Sequence, residues 1–329
     1  MTAFHVQSLI GFAFVFLAVS ALASLAGGVA WRLLGGRARG YGPATERAAT
    51  TAALVLPIVA GVAAVLPLVA HAVVSRGRRD HCLRIAGHLH FCFQHGVGWA
   101  ESLVAVSLLT LAVASLVVRA ARGWRARSTA RRSLRALHAS SSRVAGHADV
   151  RLVPGARRFC FVAGDRQPVI YVSASAWHAL EPQERAAMLA HERAHALQRD
   201  LRSRRWLAFA AALGAPRVAD RLLRAWAHAT ERLCDAMAAR EVGDAAVVAS
   251  AILTLAGARP PVASAAFVQH EDDVSGRIEA VLREGPMGHA GASTLWQTSW
   301  RLALGALLAS LVFFDQIHGW VERVVAWLA

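Results

Sequence analysis

Long uninterrupted apolar runs dominate the first third of the chain. No charged residue occurs in Val6–Trp31, in Ala48–Ser75 or in Ser102–Val118. An α-helix rises about 1.5 Å per residue, so about 20 residues cross the roughly 30 Å hydrocarbon layer of a membrane. Each run therefore predicts a membrane-spanning helix, the third of them anchored at its ends by Trp99 and Arg119.

Behind these three runs the pattern becomes amphipathic and charged. We expect three spans with short loops within 1–120, a separate domain over 121–298, and a C-terminal span with a short tail over 299–329. Apolar residues make up 56% and charged residues 17% of the 329 residues. This composition excludes a disordered chain and is too apolar for an ordinary soluble enzyme. The predicted fold is mainly α with a small β-sheet, in a multi-pass membrane protein.

The distribution of arginine sets the predicted orientation. All 36 basic residues are arginine against 21 acidic residues, a formal net charge of +15. Residues 119–158 hold eleven arginines and one acidic residue. The positive-inside rule then places the domain in the cytoplasm and the N-terminus outside the cell membrane. We interpret this block as an anchor to the anionic lipid bilayer and expect no direct nucleic-acid partner.

The loop 76–98, outside by this topology, contains two cysteines and four histidines. On the oxidising side of the membrane, Cys82 and Cys92 could form a disulfide that closes a small loop. The histidines could bind a metal ion, respond to pH, or have neither role.

Short strand patterns precede a helix in the cytoplasmic domain. Apolar and β-branched residues predict strands at Val150–Val153, Phe159–Ala163 and Pro168–Ser173. Pro182 suits a first helical turn, and the helix is expected over about 183–199. The third strand could be a sheet edge that pairs with an extended substrate, or a plain core strand.

This helix carries the pattern H-E-x-x-H at His191, Glu192 and His195. Two histidines four residues apart project from one helix face, which suits two corners of a tetrahedral Zn²⁺ site. Glu192 lies beside the first ligand and can act as the base that takes the proton of an attacking water. The pattern predicts one catalytic zinc ion per chain in a peptide-bond hydrolase.

A second predicted helix offers the remaining ligand. Glu231 would complete three protein ligands and leave the fourth position open, as in catalytic zinc sites. Asp235 lies on the same face, and Asp200 follows the second histidine. Either carboxylate could orient a ligand imidazole or be an ordinary surface group. His228 could stabilise an oxyanion, although a structural role suits a single histidine better, and Cys234 is expected to be a buried apolar residue that points elsewhere.

Eleven uncharged residues, Trp206–Pro216, separate the two metal-binding helices. As a helix they span only about 16 Å, roughly half a bilayer. A full crossing would also place His191 and Glu231 on opposite sides of the membrane. We therefore expect the segment to dip into the interface or pack against the spans, with the site close beneath the inner leaflet.

Taken together, these motifs resemble those of the BlaR/MecR-type integral-membrane zinc metallopeptidases. The resemblance covers the inner domain and the three-plus-one helix plan, which is most of the chain. Its residues are Tyr171-Val172-Ser173, Leu180-Glu181-Pro182, Glu184, Ala190-His191-Glu192-Arg193-Ala194-His195, Asp200, Glu231-x-x-Cys234-Asp235 and Arg277-Ile278-Glu279.

The resemblance implies a zincin domain of the gluzincin type facing the cytoplasm of a bacterial cell. It implies zinc at His191, His195 and Glu231, with Glu192 as the base. Members of this type transmit a signal that leads to cleavage of a BlaI/MecI-like repressor, so a protein or peptide partner is implied. The chain ends at Ala329, and we expect a stand-alone peptidase without a penicillin-binding sensor domain.

Two other functions are compatible with the same residues. The HtpX-like peptidases of membrane-protein quality control share H-E-x-x-H and a later E-x-x-x-D. A non-catalytic membrane sensor or scaffold could bind a metal ion for folding alone. An intramembrane-cleaving protease fits less well, because arginines crowd the segment His191–Arg205.

Overall fold

The computed structural model describes residues 2–74, 99–164, 166–256 and 274–284, together with position 305. Within them the chain is mainly helical with one four-stranded sheet, as the sequence predicts. Cys82, Cys92 and nearly all of the fourth predicted span lie outside the described residues. The helices are α1 (Thr2–Gly40), α2 (Pro43–Val74), α3 (Trp99–Ser140), α4 (Ala174–Ala179), α5 (Pro182–Leu197), α6 (Asp200–Ala212), α7 (Pro216–Val242), α8 (Ala245–Thr254) and α9 (Val274–Glu284). The strands are β1 (Ser142–Val144), β2 (His147–Val153), β3 (Cys160–Ala163) and β4 (Val169–Ser173).

Three long helices begin the chain, and the first two pack against each other. Among the described residues, Phe12–Gly40 of α1 and Pro43–Leu66 of α2 are long and apolar enough to cross a membrane. Helix α3 includes the third predicted span and continues without a break to Ser140. The arginine-rich stretch that was expected to begin the domain is therefore the second half of the same helix.

The sheet has the order β1-β2-β4-β3. Strand β4 runs parallel to β2 and antiparallel to β3, so it is a central strand and not a sheet edge. Its residues Ile170, Tyr171, Val172 and Ser173 are all buried, because both faces of the sheet are covered. Among the described residues, the edge strand nearest helix α5 is β3 instead.

Two apolar clusters hold the sheet between helices. On one face, Phe159, Phe161 and Tyr171 pack against the second half of α3. On the other face, Ile170 and Leu180 join residues of α5, α7, α8 and α9 in the largest cluster. The helix with the H-E-x-x-H pattern is thus fixed to the sheet along its apolar side.

The α6–α7 hairpin packs against the first two helices. Leu54 of α2 is buried with Leu207 and Trp226. At the hairpin turn, the backbone N–H of Ala215 donates to Ser24 Oγ at 2.9 Å. A Cβ on Gly214 would lie 2.7 Å from the same oxygen, so the turn needs glycine there. Of the two placements expected for segment 206–216, the structure therefore shows packing against the spans.

The buried side chain of Leu180 provides a test of the sheet–helix core. It is 1% exposed in the largest cluster. Replacing it in Leu180→Ala is expected to lower the free energy of unfolding by about 2–5 kcal/mol, because a cavity remains. Thermal unfolding in detergent measures this change. The control Leu253→Ala, at a leucine that is 64% exposed, is expected to unfold close to the wild-type temperature.

Candidate metal centre

Helix α5 begins at a strong start signal and ends beside the site. Pro182 occupies its first turn, and Glu181 and Glu184 form a reciprocal capping box. His195 is 4% and Glu192 8% exposed, so the motif lies on the inward face of the helix. The capping box and Pro182 fix where α5 begins, and the position of each motif residue along the helix then determines the face from which its side chain projects.

Three potential ligand atoms converge between α5 and α7. The Nε2 atoms of His191 and His195 lie 3.2 Å apart. The Glu231 carboxylate lies 3.5 Å from each of them, through Oε2 and Oε1 respectively. Ligands bound at about 2.0–2.2 Å and at tetrahedral angles would be about 3.3–3.6 Å apart. Each imidazole Nε2 thus lies at about this distance from the other Nε2 and from one oxygen of Glu231, and the three residues could hold one metal ion.

A carboxylate contacts the Nδ1 atom of each of the two imidazoles, on the side opposite Nε2. Asp235 Oδ1 lies 2.8 Å from Nδ1 of His191, and Asp200 Oδ2 lies 2.9 Å from Nδ1 of His195. With Nδ1–H donated to a carboxylate, each ring keeps Nε2 free as a ligand. Both carboxylates that the sequence left open as orienting groups are therefore in contact with a histidine.

Two arginines hold these carboxylates in turn. Arg277 of α9 donates from Nε and Nη2 to Asp235, both at 2.8 Å, and its Nη1 lies 3.2 Å from Glu231 Oε2. Arg47 of α2 lies 2.5 Å from Asp200 Oδ1. Its guanidinium also lies 5.4 Å from the ring centre of Trp226. Each histidine therefore belongs to a chain of imidazole, carboxylate and guanidinium.

The backbone turn after α5 brings Asp200 onto His195. Arg199 adopts the left-handed conformation with φ 54°, which is uncommon for residues other than glycine. This residue separates α5 from α6, so that Asp200 begins the next helix. The turn explains how a carboxylate five residues from a histidine reaches its ring.

Charge around the site favours ionised carboxylates. Burial alone would raise the pKa of Glu231, but Arg277 and the two imidazoles lower it to about 2. Burial likewise opposes the charge of Asp235, and Arg277 and His191 hold its pKa well below the usual range. Burial would lower the pKa of His191, yet Asp235 and Glu231 raise it to about 10. Two anions and one arginine thus surround a position suited to a cation.

Cys234 was expected to point away from the site, and this expectation is wrong. Its thiol is fully buried. The sulfur lies 3.4 Å from Nδ1 of His195 and 3.8 Å from Asp200 Oδ2. Cys234 lies on the same buried face of α7 as Glu231 and Asp235, so its side chain projects toward α5 as theirs do.

Among the described residues, two groups could hold a metal ion. The first consists of His191, His195 and Glu231, and the second of His195, Asp200 and Cys234. In the second group, Asp200 and Cys234 lie on the Nδ1 side of the shared ring. Asp200 and Cys234 therefore support the His195 imidazole, whereas His191 and Glu231 lie near its Nε2 atom.

Glu192 is a buried residue of α5, the helix that packs against β3. Burial, and then the nearby Glu192 carboxylate, raise the pKa of the Cys160 thiol on β3 well above its ordinary value. His228 lies half-buried on α7, one turn before Glu231, and its oxyanion role stays a prediction.

The contacts from the start of α2 were not predicted. Glu46 is 3% exposed and forms an ion pair with Arg232, the residue next to Glu231. With Arg47 it forms an adjacent charged pair at the start of an apolar helix. Charged groups in such a place usually have a protein partner. The sequence therefore indicates that Glu46 and Arg47 need partners, but it does not identify Arg232 and Asp200 as those partners.

Comparison with known proteins yields no match, whether to a family model, to a curated protein or to a solved structure. The geometry of the site therefore carries the functional argument.

Removing the charge of Asp235 tests its orienting role. We expect Asp235→Asn to weaken zinc binding about 10–100-fold, because the amide orients the His191 ring less well and leaves Arg277 partly unpaired. Competition with a zinc-chelating dye measures the affinity. Asp220→Asn, at an exposed position of the same helix, serves as the control. Equal affinities in the two variants would contradict the role assigned to Asp235.

Proposed function

We propose that the protein is a membrane-bound, zinc-dependent endopeptidase. The observation that carries this proposal is the convergence of His191, His195 and Glu231, whose ligand atoms lie close enough together to hold one metal ion. Two imidazoles and one carboxylate are a common ligand set of catalytic zinc, with the fourth position left for water or substrate. Softer sulfur ligands would be expected at a purely structural zinc site.

Zinc bound there would supply Lewis acidity, which polarises a carbonyl and brings the pKa of water near 7. Glu192 takes the proton of the attacking water and transfers it to the leaving nitrogen. Asp235 and Asp200 keep the two imidazoles in the orientation that leaves Nε2 free. Arg277 neutralises the excess negative charge of the two buried carboxylates.

The free edge of β3 is the proposed place of substrate binding. An extended peptide can add to a sheet edge by main-chain hydrogen bonds. Strand β3 neighbours α5, and the Glu192 carboxylate lies near Cys160 of this strand. A peptide paired with β3 would place its backbone beside both the base and the two histidines.

Packing of the α6–α7 hairpin supports a site at the membrane surface. The turn contacts Ser24, which lies about 10 Å inside the inner end of the first predicted span. Glu46 and Arg47, at the start of α2, reach Arg232 and Asp200. The site would therefore lie at the cytoplasmic ends of the spans of a multi-pass protein, within the inner leaflet's headgroup region.

A regulatory role is proposed on the same contacts. Helix α2 contacts Asp200, which lies against His195, and Arg232, which is next to Glu231. A displacement of this spanning helix can therefore be transmitted to the site. The resemblance to BlaR/MecR-type peptidases also supports a regulatory role. The substrate would then be a cytoplasmic repressor-like protein. Membrane-protein quality control, as in HtpX-like peptidases, is the alternative function. Measuring protein abundances after deletion of the gene distinguishes the two functions. A repressor-like protein should accumulate if the role is regulatory, and misfolded membrane proteins should accumulate if the role is quality control.

Cleavage by the purified protein tests the proposed activity. We expect the full chain in detergent to hydrolyse internal bonds of an unstructured protein. A strong chelator should stop the reaction, and added zinc should restore it. Mass spectrometry of the products identifies the bonds. Zinc binding without cleavage would instead favour a non-catalytic sensor or scaffold.

A further inference from the structure

A cavity of about 870 Å³ opens beside the candidate metal centre. Its walls come from the second half of α3, the β3–β4 turn, the end of α5 and one face of α6. His195 belongs both to its wall and to the three ligand residues. Five exposed arginines line it: Arg127, Arg166, Arg199, Arg202 and Arg205.

The described part of this wall carries little negative charge. Among the described lining residues, Asp200 is the one carboxylate. Its two oxygens already contact Arg47 and His195. Five arginines therefore stand against one carboxylate among the described lining residues, which gives this wall a positive potential.

The cavity begins where β3 ends. This strand ends at Ala163, and the next residue, Gly164, is part of the cavity wall. Gly164 has φ +100° and turns the chain toward Arg166 and Pro168. A peptide that lies along β3 past Glu192 would place its following side chains in the cavity.

We infer that this cavity is a substrate subsite that binds an aspartate or glutamate side chain close to the cleaved bond. The inference rests on the proposed peptidase function. Guanidinium groups bind carboxylates through paired, charge-assisted hydrogen bonds, which gives both affinity and orientation. An acidic side chain would also bring its main chain against His195, at the reacting centre.

Anionic lipid is the other chemistry that arginines recognise. Trp206 and Phe209 line the same cavity and are 65% and 54% exposed, as expected of rings at a membrane interface. However, the cavity extends from these rings to the β3–β4 turn and to His195. A peptide already paired with β3 occupies this whole length, whereas a headgroup needs only the end at the membrane.

The test uses the full chain in phosphatidylcholine nanodiscs and a set of otherwise neutral peptides. One glutamate is placed at each position in turn, with glutamine as the matched neutral residue. We expect glutamate at one position near the cleaved bond to raise kcat/KM roughly ten- to hundredfold. The preference should shrink with added salt, because the arginines are exposed.

Charge reversal provides the decisive variants. Arg166→Glu combined with Arg202→Glu is expected to abolish the preference for glutamate and to favour lysine at the same position. The control combines Arg143→Glu, on the opposite edge strand β1, with Arg221→Glu, on the outer face of α7. Both positions are exposed, and this variant should keep the glutamate preference.

Three results would overturn the inference. One is equal cleavage of glutamate and glutamine peptides by the wild type. A second is an unchanged preference in the charge-reversed variant. The third is a response of the variant to phosphatidylglycerol in the nanodiscs without any change in peptide preference, which would assign the cavity to lipid.

Binding separates this inference from the proposed function. Fluorescence anisotropy with the same peptides reports whether glutamate strengthens binding, even if no peptide is cleaved. Selective binding without cleavage would retain an acid-binding cavity and reject the peptidase. Cleavage without charge selectivity would retain the peptidase and reject the subsite.

Discussion

Glu192→Gln is expected to slow peptide cleavage by about 10²–10⁴-fold, the usual contribution of a general base. Glutamine has the same shape as glutamate but cannot take a proton from the attacking water. Glu192 is only 8% exposed and directly follows the ligand residue His191 on α5. Since it is not one of the three converging ligands, the variant should keep one zinc ion per chain and the wild-type unfolding temperature.

Zinc content and cleavage rate must be measured on the same preparation of Glu192→Gln. Glu241→Gln, at an exposed glutamate near the end of α7, is the matched control and should cleave like the wild type. Undiminished cleavage by Glu192→Gln would remove this residue from the mechanism. Loss of zinc together with activity would instead indicate that Glu192 supports the ligand geometry.

Glu231→Ala is expected to weaken zinc binding by about a hundredfold or more. If a four-ligand zinc site contributes roughly 10–16 kcal/mol, each ligand contributes about 3 kcal/mol. The variant also leaves Arg277 with Asp235 as its remaining carboxylate partner at the site. The stabilisation by added zinc should therefore largely disappear, because it depends on the affinity of the folded state.

Elemental analysis after dialysis measures the bound zinc of Glu231→Ala, and unfolding temperatures with and without zinc measure the stabilisation. Glu241→Ala, on the same helix but exposed, should retain zinc. Full zinc occupancy in Glu231→Ala with unchanged stability would contradict the site and favour an incidental H-E-x-x-H pattern.

Short-range parts of the site could be predicted because helix geometry is local. Residues four apart on a helix share a face whatever the helix packs against. This places His191 beside His195 and puts Glu231 and Asp235 on one side of α7. The start of α5 at Pro182 follows from local capping chemistry in the same way.

Long-range parts could not be predicted, because no periodicity relates their residues. Arg47 and Asp200 are 153 residues apart, and Arg277 and Asp235 are 42 apart. A charged residue at the end of an apolar helix signals a need for a partner but does not identify it. The position of Cys234 beside His195 likewise depends on how α5 and α7 approach each other.

Strand β4 likewise has one feature that the sequence predicts and one that depends on long-range pairing. Its apolar residues were recognised as a strand, yet its pattern did not distinguish an edge from the centre of a sheet. Pairing with both β2 and β3 made it central and left β3 as the edge. The polar strand β1, Ser142–Val144, has too little apolar pattern to be recognised.

The sequence by itself determined the long apolar helices, the strands with apolar runs and the H-E-x-x-H helix, since each depends on neighbours within a few residues. Tertiary structure decided that His191, His195 and Glu231 converge, and that Arg47 and Arg277 hold the supporting carboxylates. It also decided which strand is the edge and where five arginines line one cavity. These features depend on packing between elements far apart in the chain, and packing is set by the shape of whole surfaces.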